Sequence, residues 1–360
     1  MTKRDSTDKS GAMVFPDKDW VESVPESQGV DSKKMHAAIE VIEKAFEGAG
    51  GIMESLIVRN GRVIWKGSQI DRKHIIWSAS KSFTSTVLGI LIDDGKVTLD
   101  TLAKEYVPNL AALYPNVTLR HFATMTSGYD GEGGGYGEND PLDGSNTPLI
   151  PTTPLFEPGT KFGYFDDAMR EFGYVLTRIL GEPLDAFFKR RVADPIGMNP
   201  DAWDWSTRSP FDGYDIEVRD SAGGINITAR ELAKFGHLFL NGGNWAGKQI
   251  VSASWVKQVG TPQVPIDIGH NDISVRQRNI DGRGLYSYNW WVNGVGISGK
   301  RRWASAPKTM FAACGLNENK CFVIPDWNTV VVRIGTAGKI RNSDEVWSEF
   351  FAKLSGAIVA

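Results

Sequence analysis

The strand-forming runs of this chain sit at its two ends, and a helix-patterned stretch from about 101 to 280 lies between them. Near the start, Ser55-Leu-Ile-Val-Arg-Asn-Gly-Arg-Val-Ile-Trp-Lys66 places Asn60-Gly61 between two β-rich runs, a strong short-range hairpin signal. Near the end, residues 285–292, 303–313, 321–325 and 329–334 read as strands, the last pair joined by Asp326-Trp327-Asn328. This order predicts one α/β domain completed by both ends of the chain, 21–100 with 285–360. A mostly helical domain, 101–284, is inserted into it, and 1–20 reads as a flexible tail.

Helices are marked by period and caps. Asp31 is placed to cap a helix whose apolar residues Met35, Ile39, Ile42 and Phe46 share one face of a 3.6-residue period. From Ser78 to Asp94 the chain has no proline, and Gly95 suits the left-handed residue after a helix end, so one helix is predicted to begin at or beside Ser78. Helical spacing returns at 170–179 and 229–240. A last helix is predicted near Asn342-Ser343-Asp344-Glu345, with Trp347, Phe350, Phe351 and Leu354 on one side.

Composition excludes several classes. Of 360 residues, 41% are hydrophobic and 23% charged, ordinary values for a globular chain. Forty basic against 43 acidic side chains, a net charge of −3, argue against nucleic acid as a partner. The longest apolar run, 87–92, is far below the roughly 18 residues of a membrane span. The first dozen residues lack the apolar core of a signal peptide, so the chain reads as soluble, with compartment and oligomeric state left open. Cys314 and Cys321 are too few for a disulfide scaffold and lack zinc-site spacing, although they could face each other across a hairpin. His36, His74, His121, His237 and His270 sit in no triad context, and no nucleophile elbow, metalloprotease motif or P-loop is present.

Chemistry points to Ser78 and Lys81, three residues apart at a helix start and therefore on one face, one turn apart. A nucleophilic serine needs a neighbour for its proton and a positive field for the oxyanion, and a helix N-terminus supplies the field. Taken alone, Ser-x-x-Lys is a common chance pattern.

Its context is more specific. The segment IIWSASKSFTSTVLGILIDDGKVTLD resembles the nucleophile helix of the serine β-lactamase and penicillin-binding-protein superfamily, in the class C β-lactamase-like branch that includes esterases and amide hydrolases. The resemblance continues in order through VTLRHFATMTSGY, EPGTKFGYFDD, DSAGGINITARELAKFGHLFLNGG, YSYNWWVN and FAACGLNENKCFVIPDWNTVVVRIG. It implies a β-lactamase/transpeptidase-like fold, an antiparallel sheet flanked by helices with the inserted helical domain, and no cofactor or metal. Ser78 then matches the nucleophile, Lys81 its partner lysine, and Tyr164 the tyrosine of a second motif, normally Tyr-x-Asn. Here that motif reads Tyr164-Phe165-Asp166. Asp166 is expected beside Lys81, holding it as a cation and leaving Tyr164 as the base.

The third motif, normally Lys-Thr-Gly or His-x-Gly, matches Ala313-Cys314-Gly315, with the Leu316 amide joining that of Ser78 as the oxyanion hole. Gly315 is expected to let substrate approach the strand. Alanine cannot hold a substrate carboxylate as the family's lysine does, so the resemblance favours a small ester or amide substrate over a β-lactam. Asp130, Glu132, Glu138, Asp140 and Asp143, in a stretch without Lys or Arg, are expected to make the mouth of the site repel anions. The rival reading is a non-hydrolytic binding or sensor protein that keeps the fold, or a true β-lactamase or DD-peptidase.

Overall fold

The computed structural model describes residues 13–132, 147–207, 214–271, 280–340 and 343–359. Its main sheet has seven strands: β1 (Val21–Glu22), β2 (Ile52–Arg59), β3 (Arg62–Lys66), β4 (Trp291–Val292), β5 (Phe311–Gly315), β6 (Asn319–Ile324) and β7 (Thr329–Thr336). Their order is β1-β3-β2-β7-β6-β5-β4. The two ends of the chain do complete one sheet, through the long antiparallel pairing of β2 with β7 from Thr329 opposite Arg59 to Thr336 opposite Ile52. The sheet is antiparallel except at one edge, where Val21–Glu22 runs parallel to β3.

The β2–β3 hairpin turns through Asn60 and Gly61 at φ of 50° and 76°, the positive pair that matches strand twist. Gly61 has a second reason: a Cβ there would stand 1.7 Å from the Val14 carbonyl oxygen. Residues 13–20 are therefore part of the fold, which corrects the tail expected over 1–20. Val14 donates its N–H to the Asn60 carbonyl, Phe15 packs on His237 and Trp245, and Trp20 is buried.

Helix α1 (Ser32–Phe46) is capped by the Asp31 carboxylate on the Lys34 N–H and buries Met35, Ile39, Ile42 and Phe46. It lies beside α5 (Asp344–Ala357), whose Trp347 and Phe351 pack on Phe322 of β6. Side chains alternate across a strand, so the neighbouring Cys321 points to the other face. There α4 (Ala229–Leu240) packs, with Gly236 so close that a Cβ would lie 2.6 Å from the Cys321 sulfur. Cys314 pairs in register with Lys320 and Ala313 with Cys321. The two cysteines thus lie on opposite faces of the hairpin, both free, which rules out the pairing considered from sequence.

Two expected strands are shorter than read. Only Trp291–Val292 of 285–292 joins the sheet, because Asn289 takes φ 58° and breaks the extended run. Within 303–313 only Phe311 onward pairs, after turns closed by Ala306 N–H to Trp303 and Met310 N–H to Pro307.

Between the sheet halves lie α2 (Lys81–Asp93) and α3 (Asp166–Leu180), among other helical segments. One hydrophobic cluster runs from Trp20 to Ala357 through both expected domains.

Candidate active site

Ser78 lies in a short 3-10 turn, Trp77–Ser80, that leads into α2 rather than inside the helix itself. Trp77 takes φ 50°, a sparsely populated conformation for a side-chain-bearing residue. The turn is clamped on both sides. Ile76 donates its N–H to the Ile225 carbonyl, and Ser80 Oγ accepts the Ile225 N–H. On its other side stands β5. A Cβ on Gly315 would fall 1.9 Å from the Ile76 carbonyl oxygen and 3.0 Å from the Ala79 nitrogen. Gly315 is therefore required by contact with the turn that carries Ser78, which replaces substrate approach as its reason.

Lys81 is the hub. Its Nζ donates to Ser78 Oγ at 2.7 Å, to Asp166 Oδ1 at 2.6 Å and to the Ala222 carbonyl at 2.8 Å. An ammonium satisfies these three acceptors with three N–H groups. A neutral amine satisfies them as well, giving two N–H groups to Asp166 and Ala222 and its lone pair to the Ser78 hydroxyl. Burial pushes the lysine down from its ordinary pKa, and the Asp166 charge and hydrogen bond oppose that fall. Burial outweighs the carboxylate in the direction of the shift, and the carboxylate expected beside Lys81 is in place.

Asp166 is the first residue of α3, where the helix N-terminus favours a negative charge. Tyr164, two residues earlier, is buried, hydrogen-bonded with Ser78, and placed with its ring 5.0 Å from Lys81 Nζ. Burial and then the Asp166 charge push its phenol far above the ordinary value, the Ser78 hydrogen bond opposing them. Tyr164 is thus a neutral phenol at rest.

The structure adds a residue that sequence did not single out. Ala222 presents its carbonyl to Lys81 from a loop held by the Asp220 carboxylate, which accepts the Ala222 N–H at 3.1 Å. Arg170 of α3 bonds Asp167 at 3.1 Å and approaches Asp220 at 3.6 Å, while Ser221 donates to the Met169 carbonyl. Burial raises the Asp167 carboxyl to about 6, against the pull of Arg170.

Ser78, Tyr164 and Asp166 open on a cavity of about 750 Å³ that Cys314, Gly315 and Leu316 also line. Its apolar wall includes Trp77, Ile280, Leu285 and Trp291. Burial raises the Cys314 thiol, leaving it protonated. Asp130 and Glu132 are not among the lining residues, and Glu138, Asp140 and Asp143 lie outside the described residues. The cavity lining carries both signs of charge, Lys300, Arg301, Arg302 and Lys320 with Asp281, Glu318 and Asp344. Among the described residues no His, Cys, Asp and Glu group is placed to hold a metal ion, and no helix is long and apolar enough to cross a membrane.

The 6-aminohexanoate-dimer hydrolase of Paenarthrobacter ureafaciens is 26% identical over 291 residues, covering 71% of this chain and 69% of that protein. A putative 6-aminohexanoate-dimer hydrolase from Bacillus anthracis superposes with a TM-score of 0.65 at 18% identity, over 95% of this chain and 87% of the other. A family VIII carboxylesterase superposes with a TM-score of 0.67 at 17% identity, over 92% and 99%. The Beta-lactamase family model matches residues 52–334, from the start of β2 almost to the end of β7 and so across Ser78, Lys81 and Tyr164. By that match the chain belongs to the beta-lactamase family, a family of hydrolase-type enzymes, and shares its fold.

Proposed function

We propose that this protein is a serine hydrolase that cleaves a small ester or amide through an acyl-enzyme on Ser78. The observation that carries the reading is the 2.7 Å contact between Lys81 Nζ and Ser78 Oγ at the floor of an open cavity. In its amine form Lys81 takes the Ser78 proton as the oxygen attacks the carbonyl carbon. Every partner of Nζ stays paired through the transfer, so little reorganisation opposes it. The amides of Ser78 and Leu316 are assigned to the developing oxyanion. Tyr164, a neutral phenol beside Ser78, is assigned the proton for the leaving oxygen or nitrogen as its bond to the carbonyl carbon breaks, and it regains the proton that Lys81 drew from Ser78. Water then attacks the acyl carbon, giving a proton to Lys81, and the Ser78 oxygen leaves and takes that proton back as the acid is released.

The relatives' activities support this class, since the name of one is an amide-oligomer hydrolase and of another a carboxylesterase. Intact mass after treatment with a fluorophosphonate tests it. One adduct is expected, on Ser78, and none in Ser78→Ala, which also loses ester turnover. Lys81→Ala and Tyr164→Phe are each expected to slow acylation by at least about 100-fold, the effect of removing a proton-transfer group. Ester turnover surviving in Ser78→Ala would end the assignment.

A further inference from the structure

Ser78 and Leu316 both line the cavity, and the backbone N–H of neither donates to an acceptor among the described residues. A pair of amides serves an oxyanion only if their separation is held, because each has to reach one oxygen at about 2.7–3.1 Å. Here they come from segments far apart in the chain, the turn Trp77–Ser80 and the short turn Leu316–Glu318 between β5 and β6.

The second turn has a backbone that its residues do not favour. Asn317 and Glu318 take φ of 61° and 62°, two successive side-chain-bearing residues in the left-handed region. Asparagine enters that region more readily than glutamate does. Such a conformation persists where its surroundings hold it. Three side chains do so. The Glu318 carboxylate is tied to the last helix, accepting from Ser343 Oγ and, at 3.1 Å, from Trp347 Nε1. Arg333 of β7, itself buried, donates to the Asn317 carbonyl. Asn319, the first residue of β6, is wholly buried, and its Nδ2 donates to the Leu316 carbonyl at 2.6 Å.

Asn319 differs from the other two in where its remaining hydrogen bonds go. The same Nδ2 reaches the Ile75 carbonyl at 3.4 Å, in the chain that enters the Ser78 turn. Its Oδ1 accepts the Gly335 N–H of β7 at 2.8 Å. One side-chain amide, with two donors and an acceptor in a single plane, therefore joins the Leu316 turn to the approach of the Ser78 turn and to the sheet. Gly315 fixes how closely the two turns pack, through its contact with Ile76 and Ala79, and Asn319 adds a second point of attachment beyond Leu316.

We propose that Asn319 is a positioning residue of the oxyanion hole: by bonding the Leu316 and Ile75 carbonyls together, it sets the separation of the Leu316 and Ser78 amides. The proposal rests on the hydrolase reading and its assignment of those amides. Asn319→Asp keeps the shape and the acceptor for Gly335 but loses both donors. Asn319→Ser, smaller and uncharged, loses them without adding a charge and carries the test if the aspartate variant does not fold.

The measurement is steady-state kinetics on phenyl butyrate and on phenyl thionobutyrate, in which a poorly accepting sulfur replaces the carbonyl oxygen. Wild type is expected to favour the oxygen ester. In the variants kcat for that ester is expected to fall at least about tenfold, short of the roughly 100- to 1,000-fold of deleting a donor outright, with KM changed by less than about twofold. The ratio of kcat for the oxygen ester over the sulfur ester should fall by a similar factor. A fault elsewhere in the fold removes active enzyme and lowers both esters alike, leaving the ratio where it was. A wild-type ratio in the folded variant therefore overturns the positioning role, whatever its kcat. A wild-type protein that cleaves neither ester and takes no fluorophosphonate at Ser78 overturns the hydrolase reading, and the positioning role with it.

Discussion

Lys81 and Asp166 set the protonation economy of the site at the scale of single residues. If the amine form of Lys81 is the base, kcat/KM rises with pH as that lysine loses its proton. The Asp166 charge, 2.6 Å away, raises the pH at which this happens. Asp166→Asn keeps an oxygen acceptor for Nζ and removes the charge, so the acid limb of the kcat/KM profile is expected to move to lower pH. An unmoved limb with full activity would uncouple Asp166 from Lys81. The sequence brought Ser78, Lys81 and Tyr164 forward through the family resemblance of the segments that carry them, and the structure places the three together. Ala222 was not brought forward, because it acts through a carbonyl that every residue owns.

Among the elements, β5 and the Ser78 turn act as one unit, since Gly315 leaves no room between them. Gly315→Ala is expected to destabilise the protein by about 1–3 kcal/mol, the usual cost of overpacking. It should also slow phosphonate labelling of Ser78, because the turn has to move. Thermal unfolding and the labelling rate check this together, and Cys314→Ala on the same strand should leave the melting temperature far less changed. Helices were the most legible elements. Asp31 caps α1, Gly95 follows α2 at φ 68°, and α5 buries Trp347, Phe350, Phe351 and Leu354, all as their spacing predicts. The strands at 285–292 and 303–313 were over-read, since buried aromatic residues such as Tyr286, Tyr288 and Trp290 pack equally well on a loop. Only a backbone angle, that of Asn289, separates the two cases.

For the whole molecule, His237 ties the first described residues to the body of the protein. Its Nε2 donates to the Val14 carbonyl at 2.8 Å, between Phe15, Trp20 and Trp245. Burial lowers its pKa from 6.5 to about 4, so the unfolded chain takes up this proton before the folded one. Stability from the neutral ring is fully present above pH 6.5 and is lost as pH falls toward 4, roughly 3 kcal/mol in all. The stability difference between wild type and His237→Gln, measured by urea unfolding, should shrink by about that amount across this window; a constant difference would show that His237 is not the group titrating. The pairing of β2 with β7 has a further consequence, for the order in which the protein is made. Ile52 bonds Thr336, 284 residues later, so a ribosome releases β2 with an open edge and α1 with a bare apolar face long before their partners exist. Newly made chains therefore wait, exposed to sticking to one another, until the last strands and α5 emerge. Synthesis that stalls before β5 yields a chain holding Ser78 and Lys81 but not the wall against which the Ser78 turn is braced.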